Sequence, residues 1–340
     1  MKFALITADP SHKISFRMRP ETDDVTSFMQ WVSIFNGVHL SYNALRNEDN
    51  SYLKKFDVVM MSGHPSHISD IIRIGRYLKD SDSVTMFYPE GSTQLYDNSI
   101  NGFHPEYYEA WRACDIVSMA EEDKQSYYEA FVGSETIVKF IHVPATNEMV
   151  DGGFFSPRED KRDEIIVYGD NNPNHPLIAM AAINGLCERM NKNFMAIGIE
   201  TRDAEIKRVF PKLHIIQTSK QGQYPFLRML RRGLLNFYPT EWIGTARHQV
   251  SCAVAGTPCI GNKDSHTQRR LFPSLGVNIY DVKSMVDLAE ELLNNNSLHK
   301  QVCDFAFNEA SFYNRDNTVL RFKSAVEEAT KKFKKASVPT

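Results

Sequence analysis

A short segment in the third quarter of the chain carries residue types that could bind a nucleotide diphosphate. Glu241 can accept hydrogen bonds from two ribose hydroxyls, and Gly244 lets the backbone approach a ligand closely. Arg247 stands where a predicted helix begins, and a guanidinium beside a helix N-terminus favours an anionic group. This combination predicts a nucleotide-sugar site, against the alternative of an ordinary polar loop between a strand and a helix.

The elements predicted around this segment place it at the end of a strand. Leu234–Tyr238 is an apolar run long enough for a buried strand. The helix that follows ends at Gly256, with Pro258 just beyond it, and Cys259 opens another apolar run. Because ligands bind outside the carboxyl ends of strands in open α/β sheets, we expect the loop containing Glu241 to face a ligand.

The first half of the chain offers candidates for proton transfer and acceptor binding. Glu90 follows the apolar run Val84–Tyr88, and Asp97 lies in the same loop. Either carboxylate could deprotonate an acceptor hydroxyl as a general base, or it could simply cap a turn or a helix. His64 precedes a proline turn, where it could bind an acceptor or belong to a solvated loop.

The loop after the first predicted strand, Phe3–Ile6, is polar and basic. Its candidates for contact with an anionic acceptor are His12, Lys13, Arg17 and Arg19. A solvated loop is the alternative. The net charge of −3 does not favour nucleic acid as a partner, because phosphate contacts dominate such binding. A local basic face of this kind could still bind it.

Length and composition indicate a globular protein of two domains. The chain has 340 residues, which exceeds the usual single domain, and 42 % apolar and 24 % charged residues are ordinary proportions. We find no apolar run long enough to span a bilayer and no signal peptide. The five cysteines are scattered without metal-binding spacing, which favours reduced thiols. We therefore expect a cytoplasmic monomer with no stable membrane insertion.

Strands and helices alternate twice along the chain, with a loop-rich joint at 147–162. There is no P-loop and no G-x-G-x-x-G motif. The alternation predicts an α/β protein with two doubly wound domains facing each other. The expected boundaries are an acceptor-binding domain at 1–150, a nucleotide-sugar-binding domain at 151–310 and a C-terminal helix at 311–340.

The motif Pro-Thr-Glu-x-x-Gly at 239–244, followed by Ala-Gly-Thr-Pro at 255–258, resembles the donor-site signature of GT-B glycosyltransferases. That signature has two Glu separated by seven residues. Glu241 matches the first, Gln249 stands at the place of the second, and counting back from Gly256 gives Ser251 instead. The resemblance implies two facing Rossmann-like domains, a C-terminal helix crossing back to the first domain, a UDP-sugar donor, and no metal or other cofactor.

The same resemblance extends the set of donor-binding candidates. In this family, loops after strands of the second domain approach the phosphates and the nucleobase. This chain has no Arg or Lys between Tyr168 and Arg189, so basic groups must come from elsewhere, such as the arginine-bearing helix before Leu234. The further donor candidates are Gly169, Asp170, Gly198, Gln217, Thr218, Arg228, Arg232 and Thr245.

The segment 14–22 resembles the corresponding loop of phage DNA β-glucosyltransferases, which glycosylate 5-hydroxymethylcytosine in DNA. Glu90 follows an aromatic-rich strand at the place of that family's catalytic Asp, and Arg247 matches a donor-site Arg. This resemblance implies double-stranded phage DNA as the acceptor and the host cytoplasm as the compartment. The alternatives are a bacterial transferase for surface polysaccharide or glycolipid, a GT-B protein that only binds nucleotide, and a nucleotide-sugar epimerase.

Overall fold

The computed structural model describes residues 1–8, 29–46, 49–89, 105–119, 121–142, 144, 165–168, 176–198, 207–217, 223–241 and 247–334. The chain divides into two compact units. Unit 1 comprises Met1–Pro144 and Arg315–Thr340, and unit 2 comprises Ala145–Asn314.

Unit 1 contains a parallel sheet that is apolar through its centre. The strands described are β1 Phe3–Thr7, β2 Val38–Ser41, β3 Val58–Ser62, β4 Val84–Tyr88, β5 Ile116–Met119 and β6 Ile137–Phe140. Their order in the sheet is β2-β1-β3-β4-β5-β6. Every residue of β1, β3 and β4 is buried. Continuous apolar runs of this kind are typical of parallel strands that are covered on both faces.

The helices of unit 1 that precede the second sheet are short. They are α1 Met29–Phe35, α2 Tyr42–Leu45, α3 Ile68–Leu78, α4 Glu106–Arg112 and α5 Gln125–Val132. α3 is strongly amphipathic and buries Ile71, Ile74 and Leu78. Gly75 lets α3 approach the chain after α4, because a Cβ there would lie 2.5 Å from the Ala113 carbonyl oxygen.

Unit 2 repeats the arrangement with a second parallel sheet. Its described strands are β7 Ile165–Tyr168, β8 Met195–Gly198, β9 His214–Gln217, β10 Leu235–Tyr238, β11 Cys259–Asn262 and β12 Gly276–Val277. Their order is β12-β11-β10-β7-β8-β9. The helices described are α6 Pro176–Met190, α7 Gln223–Arg232, α8 Arg247–Ala255, α9 His266–Leu271, α10 Val282–Asn294 and α11 Asn296–Ala310.

The last helix, α12 at Arg315–Phe333, belongs to unit 1, as the resemblance to GT-B proteins implies. It buries Phe322, Ala325 and Ala329, which share one helical face, in the core of that unit. A buried ion pair joins Lys334 Nζ to Asp115 Oδ2 at 3.0 Å. Unit 1 takes up the chain again at Arg315, just after a short 3-10 helix at Ser311–Tyr313.

Each sheet has one place where the order of its strands reverses. In unit 1 the chain adds β2 on one side of β1 and then β3 on the other, so the reversal lies between β1 and β3. In unit 2 the chain adds β8 and β9 on one side of β7 and then β10 on the other. The carboxyl ends of the strands at such a switch point flank the crevice where α/β proteins bind ligands.

Candidate functional site

The switch point of unit 2 is bordered by the predicted donor residues. β10 pairs with β7 in parallel, with Phe237 opposite Tyr168. Glu241 lies three residues beyond the end of β10, and Arg247 is the first residue of α8. The structure therefore puts the segment singled out from the sequence at the edge of the sheet where a ligand is expected.

The start of the loop after β10 is hydrogen-bonded to the end of the neighbouring strand β11. Asn262, the last residue of β11, donates its side-chain amide to the Thr240 carbonyl oxygen at 2.9 Å. Its Oδ1 accepts the Asp264 N–H at 3.0 Å. Both Asn262 and Thr240 are buried, so water does not compete for these bonds. The backbone is therefore held at Thr240, directly before Glu241.

Glu241 is exposed and makes a hydrogen bond with a residue from another part of the edge. The phenol of Tyr280 donates to Glu241 Oε1 at 2.5 Å. Tyr280 lies between β12 and α10, and 67 % of its surface is exposed. This bond and the negative charge of Glu241 raise the pKa of the Tyr280 phenol from its ordinary value, because both favour the protonated donor.

Helix α8 is held against β10 by its second residue. The His248 ring stacks on Tyr238 with centroids 4.6 Å apart, and its Nε2 lies 3.1 Å from Asn236 Oδ1. This contact fixes the N-terminus of α8 beside the carboxyl end of β10. Arg247 is half-buried there, and burial lowers the pKa of its guanidinium from the ordinary value. An arginine nevertheless stays charged at neutral pH and complements the positive end of the helix dipole in binding an anion.

Gln249 is placed differently from what the signature implies. Its side chain has no exposed surface, and its amide group donates to Gln268 Oε1 at 2.6 Å. Its carbonyl oxygen accepts from the Ser265 hydroxyl at 3.2 Å. Gln268 in turn donates to the carbonyl oxygen of Cys259 at 2.9 Å. Gln249 therefore joins α8 to α9 and β11 inside the protein, and this position argues against the ribose contact predicted for it.

The other described donor candidates fall at both edges of the sheet. Gly198 and Gln217 end β8 and β9 at the carboxyl edge. Arg228 lies within α7, and Arg232 is the last residue of that helix, three residues before β10 begins at Leu235. Arg232 is therefore at the amino edge, on the order of 10 Å from the carboxyl ends. This position argues against the phosphate contact predicted for Arg232.

In unit 1 the switch point is bordered by His64, just beyond β3. Its Nδ1 accepts the Ser66 N–H at 3.2 Å, which leaves the proton of the neutral ring on Nε2. Burial and, to a smaller extent, the neighbouring His67 lower the pKa of His64 below its ordinary value. His64 is therefore a neutral hydrogen-bond donor at physiological pH, with chemistry that suits an acceptor's oxygen atom.

A buried polar group supports this turn. His67 donates from Nδ1 to Asp70 Oδ2 at 3.2 Å, and its ring stacks on Tyr42 at 4.8 Å. Arg46 donates to the same oxygen from Nε at 3.0 Å and from a terminal nitrogen at 2.8 Å. Burial would raise the pKa of Asp70, but the bonds from Arg46 and His67 and the charge of Arg73 lower it below its ordinary value. The group holds α2 and α3 together behind His64.

The remaining candidates lie outside the described residues. They are Glu90 and Asp97 for proton transfer; Gly169, Asp170, Thr218, Gly244 and Thr245 for the donor; and His12, Lys13, Arg17 and Arg19 for the acceptor. Their roles stay predictions.

Comparison with known proteins identifies the fold. No protein-family model matches the chain, and no curated protein matches it in sequence. HepE from Anabaena, solved in complex with UDP, aligns with a TM-score of 0.68 at 7 % identity, over 96 % of this chain and 100 % of HepE. Sucrose-phosphate synthase from Thermosynechococcus elongatus aligns with a TM-score of 0.64 at 9 % identity, over 96 % and 98 %. The UDP-forming α,α-trehalose-phosphate synthase from Burkholderia xenovorans aligns at 0.65 and 12 % identity, over 85 % and 76 %.

The chain has the GT-B fold. The alignment with HepE spans nearly the whole chain, so both sheets and the returning helix take part in the likeness. None of the helices in the described part of this GT-B chain combines the length and the apolar character needed to cross a bilayer. In the same part of the chain, no group of three or more His, Cys, Asp or Glu side chains is arranged to hold a metal ion.

Asn262 and Tyr280 lie at the carboxyl edge of the unit 2 sheet near Glu241 but were not among the candidates predicted from the sequence. Asn262 could have been found, because it is a polar residue at the end of an apolar strand, where switch-point ligands and their supports lie. Tyr280 carries no such signal, since it follows a strand of two residues and approaches Glu241 only through the order of strands in the sheet.

Proposed function

We propose that this GT-B chain transfers a sugar from a nucleotide-diphosphate sugar, with UDP as the nucleotide, to a hydroxyl of an acceptor. The observation that carries the proposal is the exposed Glu241 carboxylate at the switch point of unit 2, with Arg247 at the N-terminus of α8 six residues further along the chain. A carboxylate beside a positive helix end matches a ligand with ribose hydroxyls next to phosphates. The likeness to HepE, which was solved with UDP, supports the choice of nucleotide.

Unit 2 binds the donor in this proposal. Glu241 accepts the ribose hydroxyls, while Arg247 and the first N–H groups of α8 contact the diphosphate. The glycines at 169 and 244 let the backbone come close to the phosphates, with Asp170 and Thr245 beside them. Arg228 supplies a further positive charge, and Gln217 and Thr218 lie near the base. Binding the diphosphate at a helix N-terminus also stabilises it as the leaving group.

Unit 1 binds and activates the acceptor in this proposal. Glu90, or Asp97 in the same segment, takes the proton of the acceptor hydroxyl. The freed oxygen forms a bond to C1 of the sugar, the bond from C1 to the phosphate oxygen breaks, and UDP leaves with that electron pair. The Nε2–H of His64 donates a hydrogen bond to an oxygen of the acceptor, which fixes its orientation.

A carbohydrate hydroxyl is the acceptor class that we favour. Two of the aligned proteins, sucrose-phosphate synthase and trehalose-phosphate synthase, are named as synthases of sugar phosphates, which supports an acceptor of this class. A hydroxymethylated base in DNA is the second candidate, and the specific observation behind it is the basic residues Lys13, Arg17 and Arg19, which follow β1 in the sequence. A base in a duplex would have to be flipped out of the stack to react.

The proposal is tested by a thermal-shift screen with nucleoside diphosphates and their sugars, followed by turnover of the best donor. We expect UDP and a UDP-sugar to raise the melting temperature, and glycan fragments to support consumption of the donor. Turnover only with hydroxymethylated duplex DNA would select the second candidate. Binding without turnover on any acceptor would indicate a protein that only binds nucleotide, and no stabilisation by any nucleotide would contradict the donor site itself.

Two variants separate the roles of the units. Glu90→Gln should abolish transfer while UDP still binds, because the amide cannot accept the proton. Glu241→Ala should weaken UDP binding about ten-fold, since a charged acceptor for ribose hydroxyls is lost. Glu135→Gln removes an exposed carboxylate in unit 1, paired only with exposed Lys79, and serves as the matched control with both functions intact.

A further inference from the structure

Glu241 is held in a way that differs from the other described acids at its edge of the sheet. Asp264, after β11, accepts from Lys263 Nζ at 3.0 Å, so a positive charge offsets its own. Asp281 caps α10 through the Ser284 N–H at 3.0 Å and is committed to that helix. Glu241 alone among these three accepts from a neutral phenol, that of Tyr280. The phenol therefore contributes to the orientation of the Glu241 carboxylate.

The surroundings of Tyr280 indicate that the residue is not there for packing. The ring is 67 % exposed, so it contributes little to the core. Its own backbone is fixed, because the Tyr280 N–H donates to Asn278 Oδ1 at 3.0 Å just before α10 begins. A rigid, exposed aromatic ring whose hydroxyl touches a site carboxylate is an arrangement that orients the carboxylate. Without it, a long exposed glutamate would lose rotamer entropy on binding.

We propose that Tyr280 is a positioning residue that orients Glu241 toward the ribose hydroxyls and so contributes to discrimination between ribose and its deoxy analogues. The inference rests on the proposed function, because it assigns a ribose to Glu241. Tyr280 would act on the ribose through Glu241, because its phenol donates to Oε1 of that carboxylate. The contribution of Tyr280 therefore depends on the presence of both Glu241 and the ribose hydroxyls.

The test is a calorimetric titration of UDP and of 2′,3′-dideoxyuridine diphosphate against the wild type, Tyr280→Phe, Glu241→Ala and the double variant. Tyr280→Phe keeps the ring and removes one hydrogen bond, so we expect about five-fold weaker UDP binding. Binding of the dideoxy ligand should be unchanged. In the Glu241→Ala background the Tyr280→Phe change should have no further effect on UDP, which a double-mutant cycle measures directly.

Tyr77→Phe is the matched control. Tyr77 is an exposed tyrosine of unit 1 whose ring contact with Lys54 a phenylalanine keeps, so UDP binding should not change. Equal losses for UDP and the dideoxy ligand would overturn the inference by showing a role independent of the ribose. If the wild type binds UDP and Tyr280→Phe binds it equally well, this inference alone is overturned. A wild type that binds no nucleoside diphosphate would contradict the proposed function as well.

Discussion

Glu241 in unit 2 and Asp70 in unit 1 both lie beyond strands that border a switch point, but their surroundings are opposite. Glu241 is exposed and accepts a hydrogen bond from the neutral phenol of Tyr280. Asp70 has only 7 % of its side chain exposed and accepts hydrogen bonds from His67 and from the fork of Arg46. The comparison indicates two uses of a carboxylate in this GT-B chain. The exposed one lies at the edge of the sheet where the proposed donor would bind, whereas the buried one supports the turn that precedes α3 and carries His64.

The largest effect should follow from removing the buried charge. Asp70→Asn leaves Arg46, Arg73 and His67 without their anionic partner, and we expect a loss of about 3 kcal/mol in the free energy of unfolding of unit 1. Urea-induced unfolding followed by circular dichroism measures this loss. Glu109→Gln removes the partner of exposed Arg76 and should change the stability by less than about 0.5 kcal/mol.

Acid should reproduce the effect of Asp70→Asn in the wild type. Because the pKa of Asp70 is lowered in the folded state, its stabilisation is present above the unfolded pKa and is lost as the pH falls through the folded value. We therefore expect the difference in stability between wild type and Asp70→Asn to shrink below about pH 4. A difference that stays constant down to pH 2 would show that the carboxylate is not stabilised by its cationic partners.

The second comparison is between two closely packed glycines, Gly63 in unit 1 and Gly261 in unit 2. A Cβ on Gly63, after β3, would lie 2.4 Å from the ring of buried Phe87. We expect Gly63→Ala to cost about 2 kcal/mol through overpacking. A Cβ on Gly261, in β11, would lie 2.6 Å from Gln268 Oε1, 3.0 Å from Gln249 Nε2 and 3.0 Å from the Tyr238 carbonyl oxygen. Because both amides are buried and hydrogen-bonded and the carbonyl belongs to the neighbouring strand, Gly261→Ala should cost at least as much as Gly63→Ala, and a smaller loss in thermal unfolding would contradict this expectation.

Gln249 provides the third test, because the signature and the structure give it different roles. Gln249→Met keeps the length of the side chain but removes its bonds to Gln268 and Ser265, and we expect a loss of about 1.5 kcal/mol. UDP affinity should change by less than about two-fold in the folded protein, since the side chain is buried. Weaker UDP binding with unchanged stability would instead support the ribose contact that the signature implies.

These examples show which parts of the fold the sequence could predict. The strand, loop and helix around Glu241 were predictable because an apolar run, a glycine stop and a proline mark their boundaries. The return of α12 follows from the resemblance to GT-B proteins, and it is realised physically by the spacing of Phe322, Ala325 and Ala329 on one face. Such signals are local, so they can be read along the chain.

The details of the site depend on contacts that local patterns do not encode. Every residue from His248 to Ala255 is buried, so α8 lacks the polar face that would show which way Gln249 points. Arg232 attracts attention by its charge, but its distance from the ligand edge follows from the direction of α7 relative to β10. Tyr280 meets Glu241 because β12, β11 and β10 are neighbours in the sheet, which periodicity alone does not give.

The smallest expected effect concerns the exposed pair, and it has the opposite pH dependence from the buried one. The pKa of Tyr280 is raised by its bond to Glu241 and by that residue's charge, so the contribution of the pair is present below the unfolded pKa and is lost as the pH rises through the folded value. In a spectrophotometric titration at the tyrosinate band, the difference between wild type and Tyr280→Phe should show one phenol that ionises late. Glu241→Ala should return this phenol to the ordinary range near about pH 10. A phenol that ionises normally in the wild type would mean that Tyr280 does not hold Glu241 in solution. Glu241 and Asp70 would then differ only in how exposed their carboxylates are.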